Sequence, residues 1–168
     1  PGETPFTLLE DGKRFLWLSS RTGWRHLYLY DVSGSLIGPV TQGQFPVERV
    51  VRADETTGWV YFTTQVNPER PYDTYLYRVS LEGKNLTRLS EAPGQHEIHF
   101  APSGQFFLDR HSSVSRAPAV ELRRADGKLL QPLATADVSG LKELRWTPPE
   151  EFVVKAAGGK TDLCGAST

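Results

Sequence analysis

The side chains able to do chemistry are few and poorly spaced for it. The chain of 168 residues has four histidines, one cysteine and no methionine. A serine hydrolase needs its nucleophile on a strained turn of the form G-x-S-x-G, with a histidine base oriented by a carboxylate. No such pentapeptide occurs. Gly34-Ser35-Leu36-Ile37-Gly38 puts its serine one place early, beside a hairpin turn. His96 and His99 are three apart, a metal-ligand spacing on a helix, but on a strand such residues face opposite ways and one ion cannot easily take both. His26, in Arg25-His26-Leu27-Tyr28, reads as a turn or inter-sheet hydrogen-bonding residue. His111, in Arg110-His111-Ser112-Ser113, reads as a loop residue, because adjacent serines do not make a triad. Cys164 has no histidine or asparagine near it in a glycine-rich tail and reads as an inert thiol. No catalytic residue, metal ligand or cofactor-binding residue is therefore assigned, and no cofactor is expected.

Other groups suggest binding. Trp17, Trp24, Trp59 and Trp146 could stack on sugars or bases. Three of them read as equivalent strand positions that pack between sheets, leaving Trp24, after Gly23, at a turn. Arg110, Arg116, Arg123 and Arg124 form a basic cluster, read as a solvated face. The chain carries 19 basic and 20 acidic residues, a net charge of −1, so nothing draws it generally to nucleic acid or anionic membrane. The loop Val66 to Asp73 is longer than its counterpart earlier in the chain and reads as an insertion with capacity for contacts.

The elements that must position these residues are repeated. Three segments end a strand in a turn glycine: Leu27 to Gly34, Leu76 to Gly83 and Val120 to Gly127. The glycines lie 49 and 44 residues apart, and the apolar residues six further on, Val40, Leu89 and Leu133, keep the same intervals. A third kind of strand, Val47 to Val51, Ile98 to Phe100 and Leu141 to Trp146, runs into a turn. A fourth, rich in aromatic and branched residues, covers Phe15 to Ser19, Trp59 to Thr63 and Phe106 to Asp109, with Phe152 to Lys155 as a further copy. These runs are short and bounded by Gly, Pro, Asp and Asn, as strands are. The 15 glycines and 12 prolines suit a turn-rich β protein. No sustained helical stripe is present, and almost no helix is expected.

Four short antiparallel strands every 40–50 residues is the period of a β-propeller blade. The expected fold is all-β: about three four-stranded blades, residues 4–41, 47–92 and 97–136, and a partial unit at 141–155. Tyr28, Tyr30 and Val32, with Tyr77, Val79 and Leu81, would form an inter-blade face. Blades bury their faces against each other, and a few do not close a ring, so the open piece is expected to self-associate or to be marginally stable. With a mean hydropathy of −0.41 and no apolar run of bilayer length, no membrane span is expected. One cysteine excludes an internal disulfide. Pro1-Gly2-Glu3-Thr4-Pro5 is not a translation start, so a processed or excised piece of a longer chain is expected.

Trp17 to Asp31, containing Ser19-Ser20-Arg21-Thr22-Gly23-Trp24-Arg25-His26-Leu27-Tyr28, then Pro39-Val40-Thr41-Gln42-Gly43, resembles a propeller strand pair of dipeptidyl peptidase IV-like enzymes. Leu76 to Val79 with Leu86 to Ser90 is in the same style. Phe100-Ala101-Pro102-Ser103-Gly104 looks like the family's F-S-P-x-G strand. Glu151 to Gly165 is similar to its entry into the hydrolase domain, E-x-x-x-x-x-A-x-D-G-K-T-x-L-x-G, with Gly158 in place of the usual Asp and Cys164 in place of a Tyr. The resemblance implies a parent with an eight-bladed propeller and an α/β-hydrolase domain, cleaving N-terminal Xaa-Pro or Xaa-Ala dipeptides with a Ser-Asp-His triad. It implies a bacterial enzyme of the periplasm or cytoplasm. In that frame residues 1–155 are a partial propeller that gates access for peptides, residues 156–168 start a linker into an absent hydrolase domain, and peptide substrate is met through that domain. The family's amine-binding glutamate pair has no match here. The alternative is a stand-alone TolB- or WD-type propeller that binds a protein partner.

Overall fold

The computed structural model describes residues 6–67, 70–144, 146–160 and 162–167. Three four-stranded antiparallel sheets follow one another along the chain. The first holds β1 (Phe6–Leu8), β2 (Arg14–Ser19), β3 (His26–Asp31) and β4 (Leu36–Pro39). The second holds β5 (Val47–Asp54), β6 (Trp59–Thr64), β7 (Tyr75–Ser80) and β8 (Thr87–Arg88), and the third β9 (Gln95–Phe100), β10 (Phe106–Ser113), β11 (Arg116–Arg124) and β12 (Leu129–Thr135). Each sheet is a meander with sequential strands side by side. The chain is thus the all-β propeller fragment that its period predicts. Thr4, Pro68, Glu69, Thr161 and Thr168 lie outside the described residues.

The repeat has a local chemical cause. Gly34, Gly83 and Gly127 sit at φ of 88, 76 and 91°, where a side chain would strain the backbone. Each donates its N–H to the carbonyl three residues back, on Asp31, Ser80 and Arg124, at 3.0, 2.9 and 2.8 Å. Two residues before each glycine, Val32, Leu81 and Ala125 donate to Lys13, Gly58 and Gln105 at the neighbouring hairpin. Each sheet therefore has the same two turns locked in the same register.

Alternation along the strands makes two apolar seams. Leu16, Leu27, Leu29 and Val40 of the first sheet meet Val60, Phe62, Val79 and Leu81 of the second. Tyr61, Leu76 and Leu89 on the second sheet's other face meet Ile98 and Phe107 of the third. Tyr77, Val79 and Leu81 do face a neighbouring sheet. Tyr28, Tyr30 and Val32 occupy the equivalent face of the first sheet, which looks away from the second. The seams close tightly: a Cβ on Gly83 would lie 2.9 Å from the Pro39 carbonyl, and one on Gly127 3.0 Å from Leu89 Cα.

The end of the chain departs from expectation. Leu141 to Trp146 is not a strand: α1 (Ser139–Glu143) occupies its start, and Arg145 lies outside the described residues. Asp137 Oδ1 accepts the Ser139 N–H at 2.8 Å, capping the turn, and this bond holds the Asp137 carboxyl below its ordinary range. The glycine-rich tail, which offers no clear outer strand in sequence, carries one. β13 (Glu150–Lys155) pairs with β14 (Asp162–Ser167). Gly159, at φ 69°, makes the turn, and Lys155 pairs with Asp162 at 2.5 Å.

Candidate functional site

The long β6–β7 loop makes the most specific contact with the terminal hairpin. Arg70 Nε donates to Asp73 Oδ2 at 2.6 Å. Its two terminal nitrogens donate to the two carboxylate oxygens of Glu151, on β13, at 2.9 and 3.0 Å. This bidentate fork is the strong arrangement of the pair, and it holds the Arg70 guanidinium protonated beyond its already high value, through Asp73 first and Glu151 second. Tyr75 Oη donates to Asp73 Oδ2 at 3.0 Å. Burial, then Asp73, pushes the Tyr75 hydroxyl above the usual tyrosine range. Between loop, hairpin and the β10–β11 turn lies a cavity of about 440 Å³, with Pro71, Tyr72, Val114, Phe152 and Cys164 among its walls.

The second-to-third sheet seam holds a buried polar network. His96 Nδ1 meets Asp109 Oδ1 at 2.7 Å, and both side chains are fully buried. His96 Nε2 lies 2.7 Å from the Ala92 carbonyl, which only accepts, so Nε2 donates. Arg123 donates to Glu121 at 2.9 Å, and crosses to the second sheet through the Leu89 carbonyl at 3.3 Å. The rings of His96 and His111 lie 5.4 Å apart. A His–Asp pair could orient a base, but here the base is spent on a carbonyl, so the network ties sheets together.

His26 is also structural. The Leu27 N–H donates to Thr41 Oγ1 at 2.9 Å. That hydroxyl then donates to His26 Nδ1 at 3.1 Å, and His26 Nε2 donates to the Gly43 carbonyl at 3.0 Å. His99 lies on the exposed face of β9, against Glu97 at 3.1 Å, while His96 lies on the buried face, so the two do not converge. Among the described residues no three His, Cys, Asp or Glu side chains are gathered to hold a metal ion.

Three readings need correction. His111 is not in a loop: β10 continues to Ser113 and buries it. The basic cluster is not one solvated face. Arg123 and Arg124 point to opposite sides of β11, and Arg123 is 4% exposed. Arg110 and Arg124 instead pair with Glu97 and Asp126. The tryptophans are not repeat-equivalent. Trp59 pairs with Ser80, the place Arg14 takes opposite Asp31 in the first sheet, whereas Trp17 pairs with Tyr28 as Phe62 does with Tyr77. Trp146 is in no strand. The residues missed were Arg70, Asp109 and Glu151. For Asp109 a signal existed: the turn before Phe106 sets the β9–β10 register, which puts His96 opposite His111 and Asp109 opposite Ile98.

Comparison with known proteins bears on what this stack of sheets belongs to. A family model described as the dipeptidyl peptidase IV N-terminal region matches residues 2–118. The chain belongs to this family. Similar curated proteins within it include dipeptidyl peptidase 4 of Trichophyton rubrum, 25% identical over 150 residues, or 86% of this chain and 19% of that protein. Dipeptidyl peptidase 4 of Arthroderma otae is 27% identical over 151 residues, with the same two shares. The chain thus spans about one fifth of these relatives. Among solved structures, Porphyromonas gingivalis dipeptidyl peptidase 4 superposes with a TM-score of 0.80 at 24% identity, over 96% of this chain and 23% of that one. A putative dipeptidyl aminopeptidase IV from Bacteroides ovatus gives 0.72 at 20%, over 94% and 25%. At these identities the superpositions speak for the fold.

Proposed function

We propose that this chain is the non-catalytic propeller portion of a dipeptidyl peptidase IV-like serine exopeptidase, and that its sheets restrict access of peptides to a hydrolase domain on the same polypeptide. The observation that carries the reading is the match of residues 2–118 to that enzyme's N-terminal region. The hairpin β13–β14 supports it: its sequence resembles the family's entry into the hydrolase domain, and Arg70 clamps it to the sheets through Glu151. On this reading the parent removes Xaa-Pro or Xaa-Ala dipeptides with a triad outside residues 1–168. The test uses a glycyl-prolyl chromogenic substrate. The full-length protein is expected to hydrolyse it, and residues 1–168 alone are not. An inactive full-length protein, or activity in the short chain, overturns the reading.

A further inference from the structure

A second cleft lies at the opposite end of the strands from the hairpin. It is about 510 Å³ in volume and sits where the β5–β6 turn of the second sheet meets the β9–β10 turn of the third. Arg52 and Arg78 enter it from β5 and β7. The Arg78 guanidinium lies over the Trp59 ring, 4.2 Å from its centroid. This cation–π contact holds the guanidinium in place at the cleft. Arg52 rests against Gly104, where a Cβ would come within 2.9 Å of its guanidinium, so the bare glycine admits it.

The cleft's charges do not cancel. Arg124 is taken by Asp126, an interaction that pulls the Asp126 carboxyl down to about 2. Arg52 has Asp54, but at 3.8 Å, beyond hydrogen-bond reach. Arg78 lies near enough to Tyr61 to favour its ionised hydroxyl and helps to hold the Asp126 carboxyl down, but among the described residues it forms no ion pair with a carboxylate. Nε of both Arg52 and Arg78 is buried with no hydrogen-bond partner. Both guanidinium groups line the cleft, and one surplus positive charge there is what an acceptor-rich anion offsets; guanidinium forks match oxyanions in particular.

We propose that this cleft binds a small oxyanion, a phosphate or carboxylate group, between Arg78 and Arg52. The site stands apart from the peptidase reading, since binding is read whether or not the protein hydrolyses peptides. The test is calorimetric titration of the full-length protein with sodium phosphate and, separately, sodium acetate at constant ionic strength. Saturable binding of at least one is expected, and the tighter of the two names the ligand group. Arg78→Gln and Arg52→Gln are each expected to weaken it at least about tenfold, as loss of a charged fork should. Arg110→Gln, at an exposed arginine on the far face, is expected to leave it unchanged. If Arg78→Gln does not fold, Arg78→Lys carries the test: it keeps the charge without the fork, and weaker binding is expected. No saturable binding of either anion, or binding that survives the Arg78 substitution unchanged, overturns the proposal.

Discussion

Thr41 joins the first sheet's third strand to the chain leaving it. Its hydroxyl accepts from Leu27 and donates to His26, and Ser90 repeats the first half of this for Leu76 in the second sheet. Thr41→Val keeps the shape and removes the hydroxyl, leaving a buried N–H and a buried ring nitrogen unpaired. A loss of about 1–3 kcal/mol is expected in denaturant unfolding, and Thr41→Ser should recover most of it. The role of His26 was legible because a histidine between strands, beside a threonine-bearing turn, has local partners. Those of His111 and Arg123 were not. His111 meets Glu121 from the next strand, and Arg123 faces Asp109 of the neighbouring strand and Leu89 of another sheet, so hairpin register and sheet packing bring them together.

Tyrosines set the response to alkali at the same scale. Burial raises Tyr61 above its ordinary 10.0, opposed by Arg78, and burial also raises Tyr77. A group whose folded value is raised contributes stability that is complete below the unfolded value and is lost as pH rises beyond it. Urea midpoints should therefore fall as pH rises above about 10. Tyr61→Phe should fall less over that range. An equal fall in both proteins would show that Tyr61 ionisation is not the cause.

Elements are held by turn glycines that do two jobs, and the two can be separated. Gly34 and Gly127 share a left-handed φ, but a Cβ at Gly34 meets nothing while one at Gly127 meets Leu89. Gly34→Ala should cost only the backbone strain, about 1–2 kcal/mol. Gly127→Ala should cost that plus a clash in the seam, about 1–3 kcal/mol more. Equal losses would mean that the third sheet does not press on the second there. Strand positions were readable because turn chemistry and strand alternation are local. Leu141 to Trp146 misled because its apolar spacing suits a strand, while Asp137 caps a helical turn at Ser139 and, among the described residues, no strand pairs with this segment. The tail strand was hidden for the reverse reason: Asp162 to Ser167 is weakly apolar and becomes a strand by pairing with β13.

For the whole molecule, the outer faces matter most. Phe6, Leu8 and Trp17 are 48, 58 and 37% exposed on the first sheet, and Phe106 and Leu108 are 38 and 37% exposed on the third. The buried counterparts of these faces, Tyr77 with Leu81 and Tyr61 with Leu76, each have a sheet against them. We propose that residues 1–168 in isolation associate through these uncovered faces. Sedimentation over a hundredfold range of concentration should show rising mass, and Trp17→Lys with Leu108→Lys should suppress it. A single monomeric species throughout would refute this.

The peptidase assignment is most directly examined by finding where the reactive serine lies. A fluorophosphonate probe forms a stable adduct with the activated serine of a serine hydrolase and leaves ordinary serines alone. The full-length protein is treated with the probe, digested, and its labelled peptide sequenced by mass spectrometry. The account predicts a single labelled serine, outside residues 1–168 and within a G-x-S-x-G sequence. A labelled serine within residues 1–168, or a folded full-length protein that takes up no label, would contradict it.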